Sequence, residues 1–282
     1  MSLDGAGAYV GANWVPVLVL AIPAVVVATL LTQAFSFEAI RTLEGYWRRR
    51  GPATWLRSGA IRLQSARRRS LDKRFSKTAE RLFTKVRPEL LRRGIDGTVL
   101  LAVEADLAGA RRPQGLSQEQ HDKANDLKWW AASEPWDAAT LLRLQRDLND
   151  FPAASRVMPT RLGNVIRVTE DRLKNTGGDI EGFVMRNRHK ASTRVLIQHD
   201  QFRTRLDMYC TLFFVAALLV PAAVFTLWDQ AALGRFGVAA IFAAVASASY
   251  GAAISSARGY CATLLQIDAM AADNTGAATH AP

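Results

Sequence analysis

The residues best suited to chemistry are four histidines, His121, His189, His199 and His280, and no two of them lie three or four apart. A helical metal face needs that spacing, so no ligand set follows from them. No HExxH, CxxC, GxxxxGK[ST] or GxSxG pattern occurs in the chain. The one glycine-rich loop, Asn175–Thr176–Gly177–Gly178–Asp179, reads as a helix C-cap and not as a phosphate cradle. Glu170 and Asp171 stand beside Arg167 and Arg172. On a helix that pattern makes a solvated ion-pair face more readily than an acid–base pair. Cys210 and Cys261 are too few for a disulfide framework and read as reduced packing residues. The chain therefore predicts no catalytic residue, no metal and no cofactor, and its expected class is non-enzymatic.

What stands out instead is positive charge. Two arginine triplets, Arg48–Arg49–Arg50 and Arg67–Arg68–Arg69, flank Trp55, Leu56 and Arg57. The net charge of +11 and pI near 10.2 suggest a nucleic-acid binder at first sight. The distribution argues otherwise. Between Ser36 and Arg93 there are seventeen Lys/Arg and five Asp/Glu, so the basicity is one block and the rest of the chain is close to neutral. That block follows directly on the first long apolar run. Basic clusters just cytoplasmic of a membrane span read as contacts to anionic lipid headgroups or to an acidic partner. Arg48, Arg49, Arg50, Arg57, Arg67, Arg68 and Arg69 are the residues expected to make them. Nucleic acid is the weaker reading, since no nucleic-acid module and few interleaved aromatics accompany the charge.

Three segments are long and apolar enough to span a bilayer, which takes about 20 residues. Residues 14–35 form the first, inside a stretch from Gly5 to Phe37 without any Asp, Glu, Lys or Arg. The charge follows this span and does not precede it, so it reads as a signal anchor with residues 1–13 outside. Residues 209–228 and 236–254 form the second and third, joined by a short loop as an antiparallel hairpin. Arg194, Arg203, Arg205 and Arg258 flank the hairpin on the other side. The positive-inside rule then places the large middle region and the C-terminus in the cytoplasm of a bacterial inner membrane. Ala243, Ser247, Gly251 and Ser255 recur every four residues along the third span. Small residues so spaced let helices approach, either within the hairpin or between copies of the chain.

The middle region shows helical periodicity and no convincing alternation. Residues 36–93 read as basic juxtamembrane helices, with Leu71, Phe75, Ala79, Leu82, Val86 and Leu90 as one apolar face and Pro88 as a kink or a restart. Residues 94–208 read as a helical cytoplasmic domain. A break at Gly94–Gly97 precedes an apolar segment, helix or short strand, up to Ala110. Ser117 and Gln120 suit a capping box that opens a helix through Trp129 and Trp130. Ser133–Glu134–Pro135 opens another, and Thr160 caps a third. From about Thr193 no breaker intervenes before the second span, so one helix is expected to run from the cytoplasm into the membrane. The third span continues beyond Arg258, with Tyr260, Leu264, Ile267 and Met270 or Ala271 on one face; the tail from Asp273, within 255–282, reads as disordered. The fold class is all-α: an integral membrane protein with three transmembrane helices and a helical cytoplasmic domain.

The stretch Met158–Arg172, MPTRLGNVIRVTEDR, resembles a P-T-R-L-G-N-V-[IL]-R-x-x-E-D motif found in a family of uncharacterised multi-pass membrane proteins common in actinobacteria. The resemblance extends through Arg203–Tyr209 and through Ser249–Met270, about the C-terminal 125 residues. It implies an integral membrane protein and no defined activity. Its motif residues here are Pro159, Thr160, Arg161, Leu162, Gly163, Asn164, Arg167, Glu170 and Asp171. Read from the residues alone, Thr160 is a cap, Leu162 is core, and Arg161, Arg167, Glu170 and Asp171 can pair; Arg161 could also hold a lipid phosphate. The expected function is that of a scaffold or effector: the cytoplasmic domain binds a partner or signal, and the protein acts through homo-oligomerisation or membrane perturbation. A subunit of an oligomeric channel or transporter, or a membrane-bound enzyme with an unfamiliar site, are the competing readings.

Overall fold

The structure, a computed structural model, describes residues 38–47, 53–173, 180–229 and 231–278. The first expected span, 14–35, and Arg48, Arg49 and Arg50 lie outside the described residues. The described chain is all-helical and holds no strand. It forms two compact units, Thr54–Asp171 and a second made of Met1–Ala53 with Arg172–Pro282.

The Thr54–Asp171 unit is organised by α1 (Ala53–Arg92). Leu71, Ala79, Leu82, Phe83, Val86 and Leu90 are buried along one face, the apolar rhythm that the sequence shows at spacings of three and four. The helix runs through Pro88 to Arg92 and does not restart there. Its end is a Schellman turn: Gly94, at φ +80°, donates to Leu91, and Ile95 donates to Leu90. Helix α2 (Gly97–Leu107), α3 (Gln118–Asp126) and α4 (Pro135–Asn149) follow. The segment 97–107 is thus helix, and its Val99, Leu100, Ala102 and Val103 join the α1 face in one core with Ala124, Trp129 and Leu141.

Local caps set these helix starts. Asp96 accepts from the Thr98 amide at 2.9 Å, and Ser117 and Gln120 form the reciprocal capping box. Gln120 also donates to Asp96 Oδ2 and to Thr98 Oγ1, so one side chain ties two helix N-termini. Hydrogen bonds from Thr98, then from Gln120, hold the Asp96 carboxyl below the usual carboxylate range. Helix α3 stops at Asp126 and does not reach Trp129. Leu127 turns extended, and a 3₁₀ turn at Trp129–Ala132 puts the Trp129 ring edge-on to Phe83 at 5.5 Å. Burying a tryptophan outweighs another turn of a nine-residue polar helix. Lys85 reaches Glu134 and Asp137 at the start of α4, and these hydrogen bonds raise its ammonium above the usual lysine range.

Helix α5 (Arg161–Arg172) closes this unit. In the other unit, α6 (Ile180–Asn187) precedes two long helices, α7 (Thr193–Thr226) and α8 (Ala232–Ala278), which form an antiparallel pair. Both expectations of continuity hold: α7 runs unbroken from Thr193 past Pro221 to Thr226, two residues short of the end of the second expected span, and α8 runs on beyond Arg258. The connection is tighter than the sequence suggests, because Arg235 already lies in the first turn of α8. The last helix also runs past Asp273 to Ala278, where a disordered tail was expected. Alanines 269, 271, 272, 277 and 278 favour that continuation.

Candidate functional site

The motif segment is a structural clasp. Asn164 is wholly buried and bonds the loop before its helix in both directions. Its Oδ1 accepts from the Met158 amide at 2.7 Å, and its Nδ2 donates to the carbonyls of Met158 and Thr160 at 3.2 and 2.8 Å. Thr160 caps α5 by accepting from Gly163 N at 3.0 Å. Pro159, Leu162 and Gly163 are buried beside it. The motif cations and anions do not all pair with one another. Arg161 turns to Asp147 at 3.3 Å and to the buried Asp150 at 3.7 Å. Two carboxylates thus occupy the guanidinium that the sequence left open to a phosphate. Arg167 bonds Glu170 at 2.8 Å, and Asp171 is held by Arg156 at 2.7 Å. Asp147, Asp150 and Arg156 are partners that sequence reading missed, since they lie outside the motif.

The apolar pair α7–α8 meets along a seam of period seven. On α8, Ala239, Ala246, Ala253, Tyr260 and Ile267 are all buried, as are Ser249, Ser256 and Thr263. On α7 the buried residues include Val195, His199, Leu206, Cys210, Ala216 and Ala223. A seven-residue repeat keeps a seam facing its partner in a left-handed supercoil. Alanine dominates the seam where the helices are most apolar, which permits close backbone approach. The expected stripe is a different face. Ala243, Ser247, Gly251 and Ser255 are all exposed, and a Cβ built on Gly251 would meet nothing within 4 Å. Among the described residues they do not pack between the two helices of the hairpin, and that part of the expectation is corrected. The reason is register: the α7 seam claims positions 239, 246 and 253.

At one glycine the seam is sterically closed. A Cβ on Gly259 would overlap the Phe202 ring, with Cδ1 and Cζ at 2.6 Å. Gly259→Ala is expected to cost about 1–3 kcal/mol as overpacking. Phe202→Ala should restore part of that loss when combined with it. Thermal unfolding in detergent of the two single variants and the double variant checks this; a Gly259→Ala midpoint equal to wild type would refute the contact. Nearby, Arg203 lies over the Tyr260 ring at 5.8 Å and pairs with Asp207 at 3.4 Å, while the His199 and Tyr260 ring centres lie 5.0 Å apart with the planes tilted by 40°. His199 Nδ1 sits 3.1 Å from Asp200, and its buried Nε2 has no hydrogen bond among the described residues.

Both helices are long and apolar enough to cross a membrane: Thr193–Thr226 and Ala232–Ala272. Only 17% and 28% of their most apolar windows are buried. Leu218, Phe225, Leu233 and Ile241 stand open on the surface, an apolar area that water would penalise. Next to the connection, Arg235 sits 4.7 Å from the ring centres of both Trp228 and Phe236. Aromatic residues so placed suit the interfacial zone of a bilayer.

Of the predicted basic residues, Arg67 and Arg69 are exposed, whereas Arg57 and Arg68 are half-buried. Arg68 turns toward the core side of α1 with its Nε buried. Three consecutive helical residues point in three directions, so the triplet is not one binding surface. Among the described residues, no group of three or more His, Cys, Asp or Glu side chains gathers as metal ligands. The chain matches no protein-family model, no curated protein and no solved structure.

Proposed function

We propose that this chain is a non-enzymatic integral protein of a bacterial cytoplasmic membrane, with its N-terminus outside and its C-terminus in the cytoplasm. Its helical cytoplasmic domain binds a partner or signal. The response passes into the bilayer along α7 and α8 and is expressed as homo-oligomerisation or membrane perturbation. One observation carries this reading. Each helix of the pair is continuous from its polar end, around His199, Arg203 and Tyr260, to its apolar end, so a shift at one end displaces the other. The exposed small residues Ala243, Ser247 and Gly251 supply a face on which further copies can pack. The likeness of Met158–Arg172 to a multi-pass membrane family supports the same placement.

The test is membrane integrity in cells induced to express the protein, read with a potential-sensitive dye and a larger impermeant dye. Expression is expected to depolarise the cells, and the Ala243→Leu/Ser247→Leu/Gly251→Leu variant, at equal membrane abundance, to leave the potential intact. An undisturbed potential with the wild-type protein, alone and with its partner-binding domain engaged, would refute the perturbation. Equal depolarisation by the variant would refute the small-residue face.

A further inference from the structure

The exposed face of α1 changes character halfway along. Opposite its buried side run Trp55, Gly59, Leu63, Ala66, Ser70, Lys73, Lys77 and Arg81, at spacings of three and four, and every one of them is exposed. The first half of this line is apolar: Trp55 is 70% exposed and Leu63 68%, with Leu56 beside them at 50%. The second half is cationic, with Arg74 next to Lys73. The cations of the helix also divide by partner. Lys85, Arg87, Arg92 and Arg93, near its end, all hold carboxylates. Between Arg57 and Arg81 there are nine Lys/Arg and two acids, and no ion pair forms there among the described residues. Unpaired cations beside an exposed tryptophan and leucines are the make-up of a helix lying in a membrane interface.

We propose that this face of α1 docks on an anionic lipid surface, with Trp55, Leu56 and Leu63 in the headgroup–acyl boundary and Lys73, Arg74, Lys77 and Arg81 on lipid phosphates. The occupant follows from charge and shape together. A nucleic acid would use the cations but leaves the apolar half in water, and an acidic protein groove would have to match both halves at once. A bilayer offers both in one plane. The Arg67–Arg68–Arg69 triplet is secondary in this arrangement, since Arg68 faces the core side. The inference rests on the membrane placement proposed above and adds the second membrane contact, which is reversible where the hairpin is not. Each lysine or arginine near an anionic surface strengthens binding about five-fold, so four of them shift the docked fraction by two orders of magnitude or more.

The experiment uses the full-length chain, reconstituted in vesicles of phosphatidylcholine alone or with phosphatidylglycerol. An environment-sensitive dye is attached at Leu63→Cys in a Cys210→Ala/Cys261→Ala background, with a second preparation labelled at Leu142→Cys as reference. Flotation with the neutral vesicles reports hairpin insertion independently of α1. The expected result is insertion in both vesicles. The dye at position 63 should shift to the blue, and spin-labelled lipid should quench it, only with phosphatidylglycerol. The shift should disappear in about 1 M salt, where screening falls to about 3 Å, and in Lys73→Gln/Arg74→Gln/Lys77→Gln/Arg81→Gln. The dye at Leu142 should stay in water throughout. An inserted protein whose position 63 stays in water with both lipids would overturn the docking while leaving the membrane placement intact. A shift equal in neutral vesicles, or one that a short nucleic-acid duplex produces and phosphatidylglycerol does not, would also overturn it. Failure to float with either vesicle would overturn the placement itself.

Discussion

Asn164→Ala should destabilise α5 by about 3–5 kcal/mol. The side chain is fully buried and satisfies one amide and two carbonyls of the loop that leads into its own helix. The Met158 amide and carbonyl lose this partner, at about 1–3 kcal/mol for each group left unpaired, whereas the Thr160 carbonyl keeps the backbone amide of residue 164 at 3.2 Å. Asn164→Asp should be no better. It keeps the acceptor for Met158 N, but it turns a carboxylate oxygen toward the carbonyls of Met158 and Thr160, where oxygen faces oxygen. Thr160→Ala gives the scale, since it removes only the cap and should cost about 1 kcal/mol. Native-state hydrogen exchange is the measurement. The α5 amides should open at least about a hundred-fold more often in Asn164→Ala, and about five-fold more often in Thr160→Ala. Exchange in Asn164→Ala no faster than in Thr160→Ala would mean that the clasp contributes little.

The second large effect separates two faces of one helix. Ala246→Leu/Ala253→Leu should disrupt the α7–α8 pair, while Ser247→Leu/Gly251→Leu should not. Ala246 and Ala253 are one heptad apart in the buried seam, at 7% and 0% exposure. Each leucine there adds volume between two backbones, at about 1–3 kcal/mol. Positions that far apart combine nearly additively, so the double variant should lose about 2–6 kcal/mol. Ser247 and Gly251 are neighbours in sequence but point outward, into open space at Gly251. Limited proteolysis and thermal unfolding in detergent compare the two variants. Equal resistance in both would show that the seam is misplaced. Equal loss in both would show that the outward face also packs within one molecule.

Local signals account for what the sequence made legible. The Ser117–Gln120 box, the Thr160 cap and the uninterrupted run from Thr193 depend on residues a few positions apart. Each appears in the structure where the sequence places it. What was not legible depends on partners distant in sequence or on register. The 3₁₀ turn at Trp129 exists because Phe83 and Trp130 flank the ring. Arg161 faces Asp147 and Asp150 because α4 ends beside α5. The hairpin seam was hardest of all. Helix α8 carries small residues on nearly every side, so a four-residue stripe and a seven-residue seam are equally visible in its sequence. Only the residues that α7 presents decide between them. The Arg67–Arg68–Arg69 triplet divides for a simpler reason: charge that is contiguous in sequence is dispersed around a helix. The usable cationic line is spaced, at positions 73, 77 and 81.

The most direct test of the central claim is cysteine labelling across the hairpin in intact cells, in the Cys210→Ala/Cys261→Ala background. Leu233→Cys lies at the connection and Gln201→Cys on the polar part of α7, and both positions are exposed. An impermeant maleimide is expected to reach position 233 from outside. Position 201 should be labelled only after the membrane is permeabilised, and alkaline carbonate should leave the protein in the membrane fraction. Release of the protein by carbonate, or labelling of position 201 in intact cells with position 233 protected, would contradict it.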